Sequence, residues 1–216
     1  MEKKLSRQER ERLQLIETVT RNAEDLFKLN GYENTTLDAL AENSEYTKRT
    51  IYRYFVSKED LYFAVMLKGH TQWLEAIRAG ALNGKSGYEK IRMAYKASLD
   101  FFNGNGWLFD LIAHMKSIES KKTPDELPYF EKYAYCLELI HKEITDMFVL
   151  AHEEKSIRTD IGPRELGVSS AFVLNGLFHM LRLYDDFFTR QHYLDKEQFI
   201  DFTAKFLYQA LEPELR

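Results

Sequence analysis

Apolar residues along this chain recur at intervals of three and four, and no convincing stretch alternates at two. The clearest run is Leu127, Phe130, Ala134, Leu137, Ile140, Ile144 and Phe148, which lines one face of a helix and suits no strand. Breakers are sparse: 4 prolines and 10 glycines in 216 residues favour long helices over many turns. An all-α fold follows. Hydrophobic residues make up 44% of the chain, enough to bury a sizeable core.

Capping patterns place the helices. The first is expected over Gln8–Leu29, with Leu13, Ile16, Ala23, Leu26 and Phe27 on one face and Gly31 as its stop. Two short helices follow, Leu37–Asn43 and Lys48–Tyr54, with caps offered by Thr35, Thr36 and Thr47. Ser57-Lys58-Glu59-Asp60 is a capping-box pattern that opens a long helix to Ala81. Ser86 opens the next, and Asn103-Gly104-Asn105-Gly106 breaks it. Further helices are expected over Trp107–Ser117, from Thr123-Pro124 to Glu154, from Gly162-Pro163 to Phe188, and from Asp195 to the stop at Pro213. That gives about nine helices. The first three form a helix-turn-helix domain over residues 1–60, and residues 61–216 form a second domain.

Charge and motif content narrow the function. The formal net charge is −4, but residues 1–68 hold 12 basic and 12 acidic residues, so the excess acid lies later. A nucleic-acid site, if present, is therefore local and near the N-terminus. Cys136 is the single cysteine, which rules out an intrachain disulfide framework and fits a reducing cytoplasm. The opening MEKKLSRQERER leads into no apolar run of the signal type. Val168–Leu183 is broken by Ser169, Ser170, Asn175, His179 and Arg182, and reads as too polar and too short to span a membrane. His141 and His152 share a helix face but lie about 16 Å apart, too far for one ion. With no HExxH, no CxxC and no glycine-rich phosphate loop, neither an enzyme, a metal nor a cofactor is expected.

The segment EYTKRTIYRYFVSKEDL, residues 45–61, interleaves cations, hydroxyls and aromatics. On a helix, Ile51, Tyr54 and Phe55 face inward. Thr47, Lys48, Arg49, Thr50 and Arg53 are left for the outside. Arginine and lysine suit guanine edges, and threonine offers hydroxyl and methyl contacts. Tyr52, Lys58 and Thr36 suit phosphates, the last at the positive end of a helix. The same pattern also fits a solvated face of an ordinary packing helix.

Later helices carry two further readings. The helix from Gly162 is apolar almost all round, and the last has Phe199, Phe202 and Phe206 on one face. A two-fold partner packing there would form a four-helix bundle, with Phe178, Leu181, Phe199, Phe202 and Phe206 as interface candidates. A small-molecule pocket is one reading of Phe102, Phe109, Met115, Phe130, Tyr133, Cys136, Phe172, Asn175 and His179, mostly apolar with a few polar anchors. Plain core packing fits the same aromatic spacing.

Residues 31–61 resemble the N-terminal signature of the tetracycline-repressor (TetR) family of transcriptional regulators. The resemblance rests on Gly31-Tyr32, Thr35-Thr36, Leu40-Ala41, Thr50-Ile51-Tyr52-Arg53-Tyr54-Phe55 and Ser57-Lys58-Glu59-Asp60-Leu61. It implies a homodimer that binds double-stranded operator DNA through residues 47–54 and is released by a small apolar or aromatic effector. The alternative is a helical dimeric ligand-binding protein without functional DNA binding. Two departures stand out. Glu45 occupies the turn where the family usually has glycine, and Lys48-Arg49 replaces a less charged pair.

Overall fold

A computed structural model describes residues 5–119, 126–184, 186–193 and 195–213. Its elements are α1 (Arg7–Asn34), α2 (Leu37–Ser44), α3 (Lys48–Tyr52), α4 (Lys58–Ala81), α5 (Gly87–Gly104), α6 (Trp107–Glu119), α7 (Pro128–Glu153), α8 (Pro163–Tyr184), α9 (Asp186–Gln191) and α10 (Lys196–Gln209). Among the described residues there is no strand, so the all-α expectation holds. The added segment is α9, six residues where a single helix had been expected to run on to Phe188.

The polypeptide divides into two compact units: Met1–Thr71 with Leu111–Cys136, and Gln72–Asp110 with Leu137–Arg216. This division passes through α4, α6 and α7.

In the first unit, α1 starts at a complete capping box, Ser6 with Glu9. The buried face is Leu15, Val19, Ala23, Leu26 and Phe27; Leu13 is exposed and Ile16 half-buried, which corrects the expected stripe. Gly31, at φ 75, breaks the helical geometry where a stop was expected, because glycine alone carries no Cβ penalty there. Thr35 seals the break: its hydroxyl donates to the carbonyls of Gly31 (2.9 Å) and Leu26 (3.2 Å). At the start of α4, Asp60 is fully buried. Its carboxylate accepts from the backbone N–H groups of Val56 (3.2 Å) and Tyr129 (2.8 Å). That satisfies a charge that would otherwise be costly to bury, and it ties the first turn of α7 to the turn that follows α3. A ring network through Tyr32, Tyr62, Phe63 and Phe130, with neighbouring centroids 4.9–5.2 Å apart, fills the rest of this core.

In the second unit, α5 is capped by Ser86 and α10 by Asp195, both as expected. Gly87 lies against α7: a Cβ there would sit 2.3 Å from Ala151 Cα. Its N–H donates to Glu154 Oε2 at 2.6 Å. Trp73 Nε1 donates to Ser98 Oγ at 3.0 Å. The expected cap at Thr123-Pro124-Asp125 lies outside the described residues, and α7 begins at Pro128. The helix α8 is 22 residues long with a mean hydropathy of 1.3 over its most apolar window. By length and composition it could cross a membrane, contrary to the reading of the shorter stretch. Packed helices of soluble proteins meet the same measure, and Arg182 in α8 is ion-paired with Asp110.

Candidate nucleic-acid interface

Local chemistry builds α2 and α3 as separate short helices. Thr36 caps α2 by accepting from Ala39 N (3.2 Å), and Thr47 caps α3 by accepting from Thr50 N (3.2 Å). The Thr47 and Thr50 hydroxyls also share a hydrogen bond of 2.9 Å. Between the helices Glu45 sits at φ 59, ψ 13, a left-handed conformation that favours glycine. A side chain at this position therefore carries backbone strain.

Ile51 and Phe55 are buried and Tyr54 is half-buried, which anchors one face of α3. Phe55 stacks on Tyr129 at 5.3 Å. The opposite face presents Thr47, Lys48, Arg49, Tyr52 and Arg53 to solvent, with Thr50 half-buried. Regular helix ends at Tyr52 rather than Tyr54, but Arg53 keeps right-handed helical geometry and continues the face. Arg49 and Arg53 stand four residues apart, hence on one side. Neither guanidinium has an ion pair or hydrogen bond among the described residues. Two free forks, each with five donors, can address base edges or phosphates.

The other two lysines are engaged. Lys48 is ion-paired with Asp38, in the first turn of α2. Lys58 donates to Glu33 O at 3.2 Å and lies 4.3 Å over the Tyr32 ring. Burial pushes its pKa below the usual lysine value, opposed by the nearby Glu33 and Glu59 carboxylates. Lys58 is therefore half-buried against the α1 break, whereas Thr36 and Tyr52 are exposed. The Asp38 contact is not legible in the sequence, because Asp38 lies ten positions before Lys48, on the other side of a turn.

The structure distributes the expected pocket residues. Phe102 and Phe109 are buried together in the second unit, with centroids 4.1 Å apart, and Phe178 joins them at 4.2 Å from Phe102. These rings adjoin a cavity of about 120 Å³ whose lining also includes Asn103, Arg182 and Lys196. Met115, Phe130, Tyr133 and Cys136 belong to the first unit, the first two half-buried and the last two buried. Phe172, Asn175 and His179 are exposed on α8, Phe172 at 80%, so they do not face the Phe102 cluster.

Of the expected interface residues, Phe178 is 6% exposed and is core within its own chain. Leu181 and Phe199 are half-buried and line a groove of about 280 Å³ between α8 and α10. Phe202 and Phe206 are exposed on α10. Val168, Phe172, Met180 and Leu183 are exposed on α8.

Residues 19–65 match the model of the family described as bacterial regulatory proteins, tetR family. The HTH-type transcriptional regulator QacR of Staphylococcus aureus is 30% identical over 77 residues, 36% of this chain and 41% of that protein. The chain thus aligns with about two-fifths of the length of that curated relative. Among solved structures, a bacterial regulatory protein of the tetR family from Rhodococcus RHA1 superposes with a TM-score of 0.67 at 14% identity, over 92% of this chain and 97% of that one. The regulator FadR of Bacillus subtilis, solved in complex with stearoyl-CoA, gives 0.66 at 14% identity, over 90% and 98%. At such identity these superpositions establish the fold.

Proposed function

We propose that this chain is a transcriptional regulator of the TetR family and acts as a dimeric, ligand-responsive repressor in the cytoplasm that binds operator DNA through α3. The observation that carries this reading is the pair of exposed arginines, Arg49 and Arg53, with no ion-pair partner among the described residues, on a face opposite buried Ile51 and Phe55. A short helix rigidly held on one side, with free cations on the other, is suited to enter a major groove. Thr47, Lys48 and Thr50 supply further polar contacts, and Thr36, Tyr52 and Lys58 meet phosphates in this reading.

The dimer rests on the outward apolar faces of α8 and α10, where Val168, Phe172, Leu183, Phe202 and Phe206 lie uncovered. Phe172 thereby moves from the pocket set to the interface set, and Phe178 moves the other way. The effector is small and apolar or aromatic. Its support is the Phe102–Phe109–Phe178 cluster with its adjoining cavity, together with the acyl ligand named for the FadR structure. Effector binding is read out through α4, the helix that leaves the α3 turn at Lys58.

A second reading, a helical ligand-binding protein without functional DNA binding, draws on Glu45, a strained acidic residue beside α3. Selection from a random duplex library separates the two, followed by Arg49→Ala. The first reading expects one enriched sequence and its loss in the variant, with helix content unchanged. Absence of enrichment by ligand-free protein would transfer the weight to the second.

A further inference from the structure

The recognition surface carries its own acid. Of the three cations Lys48, Arg49 and Arg53 on this face, only Lys48 has a carboxylate partner among the described residues, and that partner, Asp38, is itself exposed. Asp38 also occupies the first turn of α2. There the helix dipole stabilises its negative charge. One carboxylate in the first turn of α2 thus faces a cation of the next helix.

We propose that Asp38 is a specificity-determining residue: it holds Lys48 in place as a base-reading cation while keeping arbitrary phosphates away from this part of the surface. The inference rests on the DNA-binding reading above and deepens it.

Two physical points support the asymmetry between right and wrong DNA. An ammonium has three N–H donors on a flexible four-carbon stem. Paired with Asp38, Lys48 keeps donors for a base-edge acceptor and is biased toward one position. A sequence that puts an acceptor at the right place gains a pre-positioned contact. A sequence that does not is met through its phosphates alone, and those face the Asp38 charge. Arg49 and Arg53 lack any such partner among the described residues, so their attraction for DNA is not filtered in this way.

The test uses the full chain, its best duplex from a random library, and a set of arbitrary duplexes of equal length, across 50–200 mM salt. For Asp38→Asn, affinity for arbitrary duplexes should rise roughly three- to tenfold at the lowest salt, and the log–log salt slope should steepen by about 0.9, one phosphate equivalent. Affinity for the selected duplex should change by less than about twofold, so the specificity ratio falls. The same substitution in a Lys48→Gln background should show a much smaller rise. Asp38→Ser, which also removes the charge and keeps a polar residue near the start of α2, should repeat the result. Equal tightening on both kinds of DNA, or no change on either, overturns the proposal while leaving the regulator reading intact. If wild-type protein selects no duplex at all, the regulator reading falls and this inference falls with it.

Discussion

Lowering the pH should destabilise the fold through one buried imidazole. His70 is 4% exposed on α4; its Nδ1 lies 3.0 Å from Met66 O and its ring meets Tyr133 edge-on at 5.1 Å. Burial pushes its pKa down from 6.5 to about 4, because the charged ring would lose its hydration; the Met66 carbonyl opposes this only partly. In the unfolded chain the same group titrates near its ordinary value. Between pH 6.5 and about 4 the unfolded state therefore binds a proton that the folded state refuses, and stability falls as pH falls through that window. Above pH 6.5 both states are neutral and the effect vanishes. At about 1.4 kcal/mol per unit, the shift amounts to about 3 kcal/mol by pH 4, or roughly 6–12 °C in melting temperature for a chain of this size. Carboxylates also titrate in this range, so the readout is a difference. Denaturant melts of wild type and His70→Leu should be compared at pH 7.5, 6.5, 5.5 and 4.5. The variant loses a hydrogen bond at every pH, which gives a constant offset. On top of that offset, its stability should gain on wild type as pH falls from 6.5. A difference that stays flat from pH 7.5 to 4.5 would refute the argument.

Other perturbations read other parts of the structure. Gly87→Ala forces a methyl group into the α7 backbone at Ala151, and denaturant melts should show a loss of about 1–3 kcal/mol. Glu45→Gly relieves a left-handed residue; the melting temperature should rise, with the gain near 1 kcal/mol after the added freedom of the unfolded glycine is subtracted. Phe172→Glu places a charge on the uncovered face of α8. Sedimentation should show self-association weakened by at least roughly tenfold while helix content is retained.

The elements that the sequence made legible are those governed by local chemistry. Ser86, Asp195, Thr36 and Thr47 act as caps because a cap needs only its own next few residues. Gly31 marked the end of regular α1 for the same reason. The α3 face was also readable, since Ile51 and Phe55 stand apart from the polar residues between them. Contacts across elements were not. Leu13 looked like core because its spacing suits the stripe, yet residues 7–14 of α1 are exposed throughout. In α8 apolar residues surround the axis, so periodicity gave no direction; only packing shows Phe178 against Phe102 and Phe172 outward. Asp60 read as a capping acid, and its second bond, to Tyr129 N, depends on a residue 69 positions away.

The central claim is that α3 reads DNA through Arg49 and Arg53. The most direct measurement is a titration of the selected duplex and of arbitrary duplexes with wild type and Arg49→Ala at several salt concentrations. The account predicts a selected duplex bound at least roughly a thousandfold more tightly than arbitrary DNA. It also predicts a loss of about 1–3 kcal/mol in the variant, confined mainly to the selected duplex. Equal affinity of wild type and Arg49→Ala for the selected duplex would contradict it.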